Sequence, residues 1–155
     1  MLETTYGNFD GNSWEKICQI CFKQKYENEQ YIEMKATPGD FGIEGFTKTG
    51  KSFQCYCPDR SYTTKELYDN QRDKITKDLK KLQKFENELK KRLGETKIKE
   101  WIFITPEFSK NDIVAHCASK TEEIRALNLS ILDPEFVVLP QDIEYLIPYM
   151  SIALS

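Results

Sequence analysis

The sequence has no apolar run close to the roughly 18 residues that a membrane span needs. No charged-then-apolar leader follows Met1, so no secretion signal is expected and the protein is expected in the cytoplasm. Positive charge is not in excess either: 22 Lys and Arg against 25 Asp and Glu give a formal net charge of -3. Coating nucleic acid by bulk charge is thereby excluded, and any such contact needs a local basic surface. A phosphate-cradling Gly-x-x-x-x-Gly-Lys loop is missing, so the chain is not expected to hydrolyse nucleotides itself. The five cysteines are an odd number without the spacing of a disulfide framework, which makes reduced thiols the expectation. Histidine is reduced to His116, beside Cys117. Adjacent helical residues do not face each other, so a cysteine–histidine nucleophile is not built here. There is no internal repeat and no low-complexity segment.

What is present fits one domain over residues 1–155. Charged residues make up 30% and hydrophobic ones 39%, with nine Phe, eight Tyr and two Trp, which is the composition of a packed chain and not of a disordered one. Cys18-x-x-Cys21 and Cys55-x-Cys57 admit two readings. Two close pairs can supply four zinc thiolates, or the cysteines can serve as small buried hydrophobes.

Taken in order, residues 2–11 read as a loop. Asn12 then caps a helix in which Trp14, Ile17, Cys18 and Cys21 form a buried face. Glu15 has two readings that do not exclude each other, the second half of that capping box and a carboxylate turned into a site. The helix is expected to end near Tyr26, and Tyr31 to Ala36 to form a strand with Ile32 and Met34 on one face. Thr37-Pro38-Gly39 breaks it. Thr63-x-x-Glu66 is a second capping box, opening a helix of about 30 residues that Gly94 stops. Its apolar stripe is Ile75, Leu79, Leu82, Phe85, Leu89 and Leu93. The opposite face, rich in lysine and interleaved with Asp73, Asp78, Glu86 and Glu88, is either a solvated face or a surface that tracks a phosphate backbone. Ile98 to Thr105 reads as a buried strand stopped by Pro106. A helix from Ser109 or Asn111 to Leu127 follows, with Ile113, Cys117, Ile124 and Leu127 inward. Glu135 to Leu139 is the last strand, and 141–150 a helical tail. The expected order is α-β-β-β-α-β-α-β, an α/β chain whose mixed sheet is covered by helices on both faces.

The stretch that carries chemistry is GDFGIEGFTKTGKSFQCYCP, residues 39–58. It reads as a hairpin: a strand with Asp40 and Glu44, a turn over Thr49 and Gly50, and a strand from Ser52 to Cys57. Alternation places Gln54 and Tyr56 on one face and Phe53, Cys55 and Cys57 on the other. An acid close to Gln54 would offer a hard divalent cation the oxygen ligands it requires. Asp40 and Glu44 lie about 13 Å apart along a straight strand, so both reach one ion only if Gly42 permits a bend.

Residues 39–45, GDFGIEG, followed by Gln54-Cys55-Tyr56, resemble the PD-(D/E)XK nuclease superfamily, in particular its Mrr-like restriction branch and related modules of bacterial anti-phage systems. There a Gly-Asp-x-Gly-Ile-Asp-Gly strand precedes Gln-x-Lys or, in some members, Gln-Cys-Tyr. Glu44 stands where aspartate is usual, and Tyr56 where lysine is usual. The resemblance implies a restriction-endonuclease-like fold and a Mg²⁺- or Mn²⁺-dependent DNA endonuclease. It makes Glu44 the metal ligand, with Gln54, the Cys55 carbonyl and the helix acid Glu15 as further ligands and Asp40 as a ligand or helper. Tyr56 takes the place of the catalytic cation, and Lys74 is the candidate to replace that charge, ahead of Lys51 and Lys35. The resemblance also implies control by a partner such as an ATPase or sensor, encoded nearby or in a longer parent chain. Two-strand cutting is easiest from a homo-oligomer. The departures at positions 44 and 56 motivate the alternative of a catalytically silent module that binds nucleic acid or organises a complex.

Overall fold

The structure, a computed structural model, describes residues 1–35, 40–108 and 110–153. Where the sequence suggests a loop, two three-residue strands, β1 (Leu2–Thr4) and β2 (Gly7–Phe9), form an antiparallel hairpin. Strands this short carry no alternation to read. They are held by Leu2 and Phe9, which lie opposite each other and are both buried.

Helix α1 (Gly11–Lys25) begins earlier than expected, because its cap is Asp10 and not Asn12. The Asp10 carboxylate accepts from the Ser13 N–H at 2.8 Å, and Ser13 Oγ accepts from the Asp10 N–H at 2.9 Å. Glu15 therefore takes no part in the capping box. Strand β3 (Ile32–Glu33) is shorter than predicted; the proposed end at Ala36 and the Thr37-Pro38-Gly39 breaker lie outside the described residues. Strands β4 (Gly45–Phe46) and β5 (Lys51–Cys55) follow, joined through Thr47–Gly50.

The long second helix is two: α2 (Thr64–Lys84), with the Thr63/Glu66 capping box in place, and α3 (Glu86–Leu93). They meet at Phe85, whose ring packs on Phe41 at 4.6 Å. Gly94, at φ 61, ends α3. Then come β6 (Ile98–Ile104), α4 (Lys110–Arg125), β7 (Leu132–Gln141) and α5 (Ile147–Ala153). Ser109 lies outside the described residues, and Leu127, expected inward, is 40% exposed beyond the end of α4.

The five-stranded sheet runs β3-β4-β5-β6-β7, antiparallel from β3 to β5 and parallel from β5 to β7. The chain is thus mixed α/β with helices on both faces. Alternation along the central strands divides the core. Phe53, Cys55, Ile102 and Ile104 pack with α1 and α5, whereas Trp101 and Phe103 pack with α2, α3 and α4. Along β7, Thr121 Oγ1 accepts from the Val138 N–H at 2.9 Å and Arg125 Nε donates to the Phe136 carbonyl at 2.6 Å. Pro140 has no N–H to offer, so α4 and proline together blunt this edge.

Candidate functional site

Of the predicted first strand of the hairpin, only Gly45–Phe46 is strand. Asp40 Oδ1 accepts from the Gly42 N–H at 2.8 Å, the side-chain-to-backbone turn typical of aspartate. Gly42 follows at φ +93, and a Cβ there would lie 2.6 Å from the Asp78 carbonyl of α2. Trp101 Nε1 holds the Gly42 carbonyl at 2.8 Å. Ile43 and Phe46 then enter the same core, which residues three apart on one continuous strand cannot do. The bend that the sequence reading required is present, and it gives the two acids different partners, Lys81 for Asp40 and the Cys55 N–H for Glu44.

Glu44 goes to the α1 side. Its Oε1 accepts from the Cys55 N–H at 2.7 Å. The acceptor of a strand N–H lies in the plane of the sheet, so the carboxylate occupies the slot beside β5 that a longer β4 would fill. The surrounding backbone is fixed: the Glu44 carbonyl accepts from the Met34 N–H at 2.9 Å and from Gln19 Nε2 at 3.0 Å. Gln19 Oε1 in turn accepts from the Tyr31 hydroxyl at 2.6 Å. That hydroxyl sits where position 45 has no side chain, since a Cβ on Gly45 would lie 1.8 Å from it. Glu15 reaches down from α1 and is hydrogen-bonded to the Glu44 carboxyl. Burial, with Glu44 7% exposed, and then the neighbouring Glu15 push the Glu44 carboxyl up to about 9. At neutral pH Glu44 therefore keeps its proton. Above it, Glu15 lines a groove of about 430 Å³ with Lys16, Gln19, Lys23 and Glu33.

On the other side of β5, Gln54 faces α2 and meets Asp78, which is 0% exposed. Asp78 Oδ2 accepts from Gln54 Nε2 at 2.9 Å and from Lys74 Nζ at 3.0 Å, and Oδ1 accepts from Lys81 Nζ at 3.1 Å. Lys81 also bonds Asp40 Oδ1 at 3.1 Å. Burial raises the Asp40 carboxyl, but the Gly42 N–H and Lys81 outweigh it and hold the group below its ordinary value. The Gln54 carbonyl oxygen is buried and has no partner among the described residues.

Tyr56 shares the α2 face with Gln54, as alternation predicts, but its ring stacks on Phe103 with centroids 5.8 Å apart. Burial pushes its phenol up to about 12, so it stays neutral. Cys18 and Cys55 are hydrogen-bonded neighbours, both raised by burial, while burial takes Cys21 to about 11 and Cys57 to about 12. Among the described residues no three His, Cys, Asp or Glu side chains are placed to hold a metal, so the cysteines do not form the four-thiolate zinc centre that their spacing allows. Lys51 is taken by Glu29 at 2.6 Å and Lys35 by Glu33 at 2.9 Å. His116 Nε2 meets Thr76 Oγ1 at 3.1 Å while Cys117 enters the core, so the two do not form a dyad.

The sequence-predicted residues thus converge on the edge of β5 from two sides: Glu15, Glu44 and Cys55 from one, Gln54, Asp40 and Lys74 from the other. Asp78 and Lys81 were missed as site residues. Asp78 reads as one charge among many on the lysine face, yet it falls within the apolar stripe, three residues after Ile75 and four before Leu82. That position was the available signal.

Compared with protein-family models, curated proteins and solved structures, the chain matches none of them. Among the described residues no helix is long and apolar enough to cross a membrane.

Proposed function

We propose that this chain is a Mg²⁺- or Mn²⁺-dependent DNA endonuclease domain of the restriction-endonuclease-like, PD-(D/E)XK type, working in the cytoplasm as the effector of a bacterial anti-phage or restriction system. The observation that carries this reading is the Glu15–Glu44 carboxyl pair at the edge of β5, in which buried Glu44 accepts from the Cys55 N–H and half-buried Glu15 meets it from the groove side. Two carboxyls held together without a positive partner favour a cation in place of the Glu44 proton. The candidate donors are oxygens: both carboxylates, the Cys55 carbonyl, which leaves the strand on the same edge as its N–H, and, from the α2 side, the unpartnered Gln54 carbonyl. An all-oxygen set with few charges fits Mg²⁺ or Mn²⁺, which keep waters for part of their coordination.

When bound, the ion would lower the pKa of a coordinated water and offset charge growing on the scissile phosphate. The chain's own part is positional. Glu44 holds its carboxylate in the plane of the sheet through the Cys55 N–H, and Glu15 closes the slot from above. Lys74 and Lys81 supply the positive charge that Tyr56 cannot, placed to draw a phosphate against the α2 side. Lys77, Lys80 and Lys84 of α2 remain exposed and outside any ion pair among the described residues. They offer a surface that follows a phosphate backbone without reading sequence. Because unrestrained cutting would harm its own cell, the reading includes control by a partner protein such as an ATPase or sensor, and assembly into a homo-oligomer for two-strand cuts.

A second reading, a catalytically silent module that binds nucleic acid or organises a complex, is favoured by Tyr56, a neutral, half-buried ring packed against the core where a cation is usual. The two separate on supercoiled plasmid incubated with purified chain and Mn²⁺. Metal-dependent nicking that disappears in Glu44→Ala is expected. No nicking, together with no Mn²⁺ binding by calorimetry, overturns the endonuclease in favour of the silent module.

A further inference from the structure

An amide has two ends of opposite character, an oxygen that accepts and an NH₂ that donates, and a cation in the slot beside β5 can use only the oxygen. We infer that Asp78 is the positioning residue that turns the Gln54 oxygen toward that slot, an inference that rests on the metal-centre reading above. An ionised carboxylate only accepts. The Asp78 carboxylate can therefore take only the NH₂ end of Gln54, as it does at 2.9 Å, and the oxygen must point away from it. It is this oxygen that remains buried and unpartnered.

Asp78 is itself held from turning. Lys74 and Lys81 occupy its two oxygens at 3.0 and 3.1 Å, so it faces donors only. Its backbone carbonyl lies against Gly42, close enough that a Cβ there would meet it at 2.6 Å. The same helical residue thus fixes Gln54 through its side chain and packs through its backbone against the bend that delivers Glu44. Asp78 touches neither metal nor substrate in this scheme. Its role is to present one end of an amide that could otherwise bind either way up.

The test is Mn²⁺ binding to the purified chain, followed by loss of the free-ion electron paramagnetic resonance signal. Asp78→Asn can donate as well as accept and so releases the Gln54 amide to turn over. Binding is expected to weaken about 10- to 100-fold, as for other groups that orient a metal ligand. In Gln54→Glu/Asp78→Asn the ligand is a carboxylate that shows oxygen from either end, and binding is expected to return to the wild-type level. A double variant as weak as the single one assigns Asp78 a merely structural role and overturns the inference. Wild-type binding that Asp78→Asn leaves unchanged overturns it too, and leaves the metal centre standing; no binding by wild type overturns both. Should Asp78→Asn fail to fold, the wild-type chain decides the matter. The Gln54 side-chain NH₂ resonances, identified by their absence in Gln54→Leu, are expected to shift on saturation with Mg²⁺, and resonances that stay in place overturn the proposal.

Discussion

Two carboxylates of nearly equal burial flank the edge of β5, Asp78 on the α2 side at 0% exposed and Glu44 on the α1 side at 7%. Asp78 is surrounded by donors, two ammonium groups and an amide. Glu44 meets one backbone N–H and then another carboxyl. Burial raises the cost of any charge, and only pairing offsets it. On one side every buried charge is therefore paired, and Lys74 and Lys81, 30% and 23% exposed, still reach solvent. The other is short of positive charge, and its partner has to come from outside the described side chains, as a proton or as a cation. Function is sought where the electrostatics are incomplete, and the complete side explains how the incomplete one is kept in shape.

The largest effect expected from this contrast is on the completed side. Asp78→Leu leaves Lys74 without its counter-ion and Lys81 with Asp40 alone, and is expected to cost about 3 kcal/mol, the lower end for a broken buried pair because both lysines reach solvent, measured by urea unfolding at pH 7. A loss under about 1 kcal/mol would mean that solvent already shares the charge of Lys74 and Lys81, and the contrast would collapse.

Next is the bend that separates the two sides. Gly42→Ala places a side chain at φ +93 and within 2.6 Å of the Asp78 backbone. Adding the left-handed backbone cost of about 1–2 kcal/mol to overpacking of about 1–3 kcal/mol gives a destabilisation of about 2–5 kcal/mol. Gly42→Ala in an Asp78→Leu background should cost as much as in wild type, because the clash is with the backbone and not with the side chain. Unfolding of the double variant checks this.

How much of this arrangement the sequence shows depends on range. The Thr63/Glu66 capping box, the stripe from Ile75 to Leu93 and the stop at Gly94 are local patterns, and they stand in the structure. So does the alternation that separates Gln54 from Phe53 and Cys55. The Asp10 cap was missed because Asp10 and Asn12 are both good caps in one short run, and only the fold chooses between them. The bend at Gly42 depends on a helix backbone 36 positions away and on Trp101; no local rule contains either. Glu15 and Glu44 could each be named from residue type, but that they touch is a property of the packing of α1 on β5. Asp78 was hidden by its lysine neighbours, which look like ordinary helix surface pairs until Asp78 itself is seen to be fully buried.

The incomplete side should respond with the opposite sign. Glu44→Gln removes a carboxyl whose folded-state value, about 9, stands above its ordinary 4.5. Between those values the folded chain keeps a proton that the unfolded chain has released. Wild-type stability should therefore fall as pH rises from about 4.5 toward 9. Glu44→Gln should flatten that fall and stabilise the chain at pH 8 by at least about 1 kcal/mol, the worth of one pKa unit. Asp40 behaves in reverse: its carboxyl is held below the ordinary 3.8, so its contribution is present above that value and is lost as pH falls below it. Thermal melts from pH 3 to 9 test both slopes. On the metal-centre reading, saturating Mg²⁺ flattens the alkaline limb in wild type and leaves the acid limb untouched. An alkaline limb that Glu44→Gln does not change would place the strain elsewhere.

The smallest expected effect concerns the residue that departs furthest from the nuclease pattern. The Tyr56 ring contributes stacking on Phe103, and its hydroxyl makes no hydrogen bond among the described residues. Tyr56→Phe keeps the ring and should alter stability by no more than about 0.5 kcal/mol. If the positive charge for phosphate comes from the α2 side, plasmid nicking should also stay within about twofold, whereas Lys74→Ala and Lys81→Ala should each lower it about tenfold or more, the scale of a lost transition-state charge contact. The three variants compare directly because Tyr56→Phe perturbs the packing least. Nicking that falls with Tyr56→Phe and survives both lysine changes would move the chemistry from the helix to the phenol, and would leave the Asp78 cluster as a structural clamp alone.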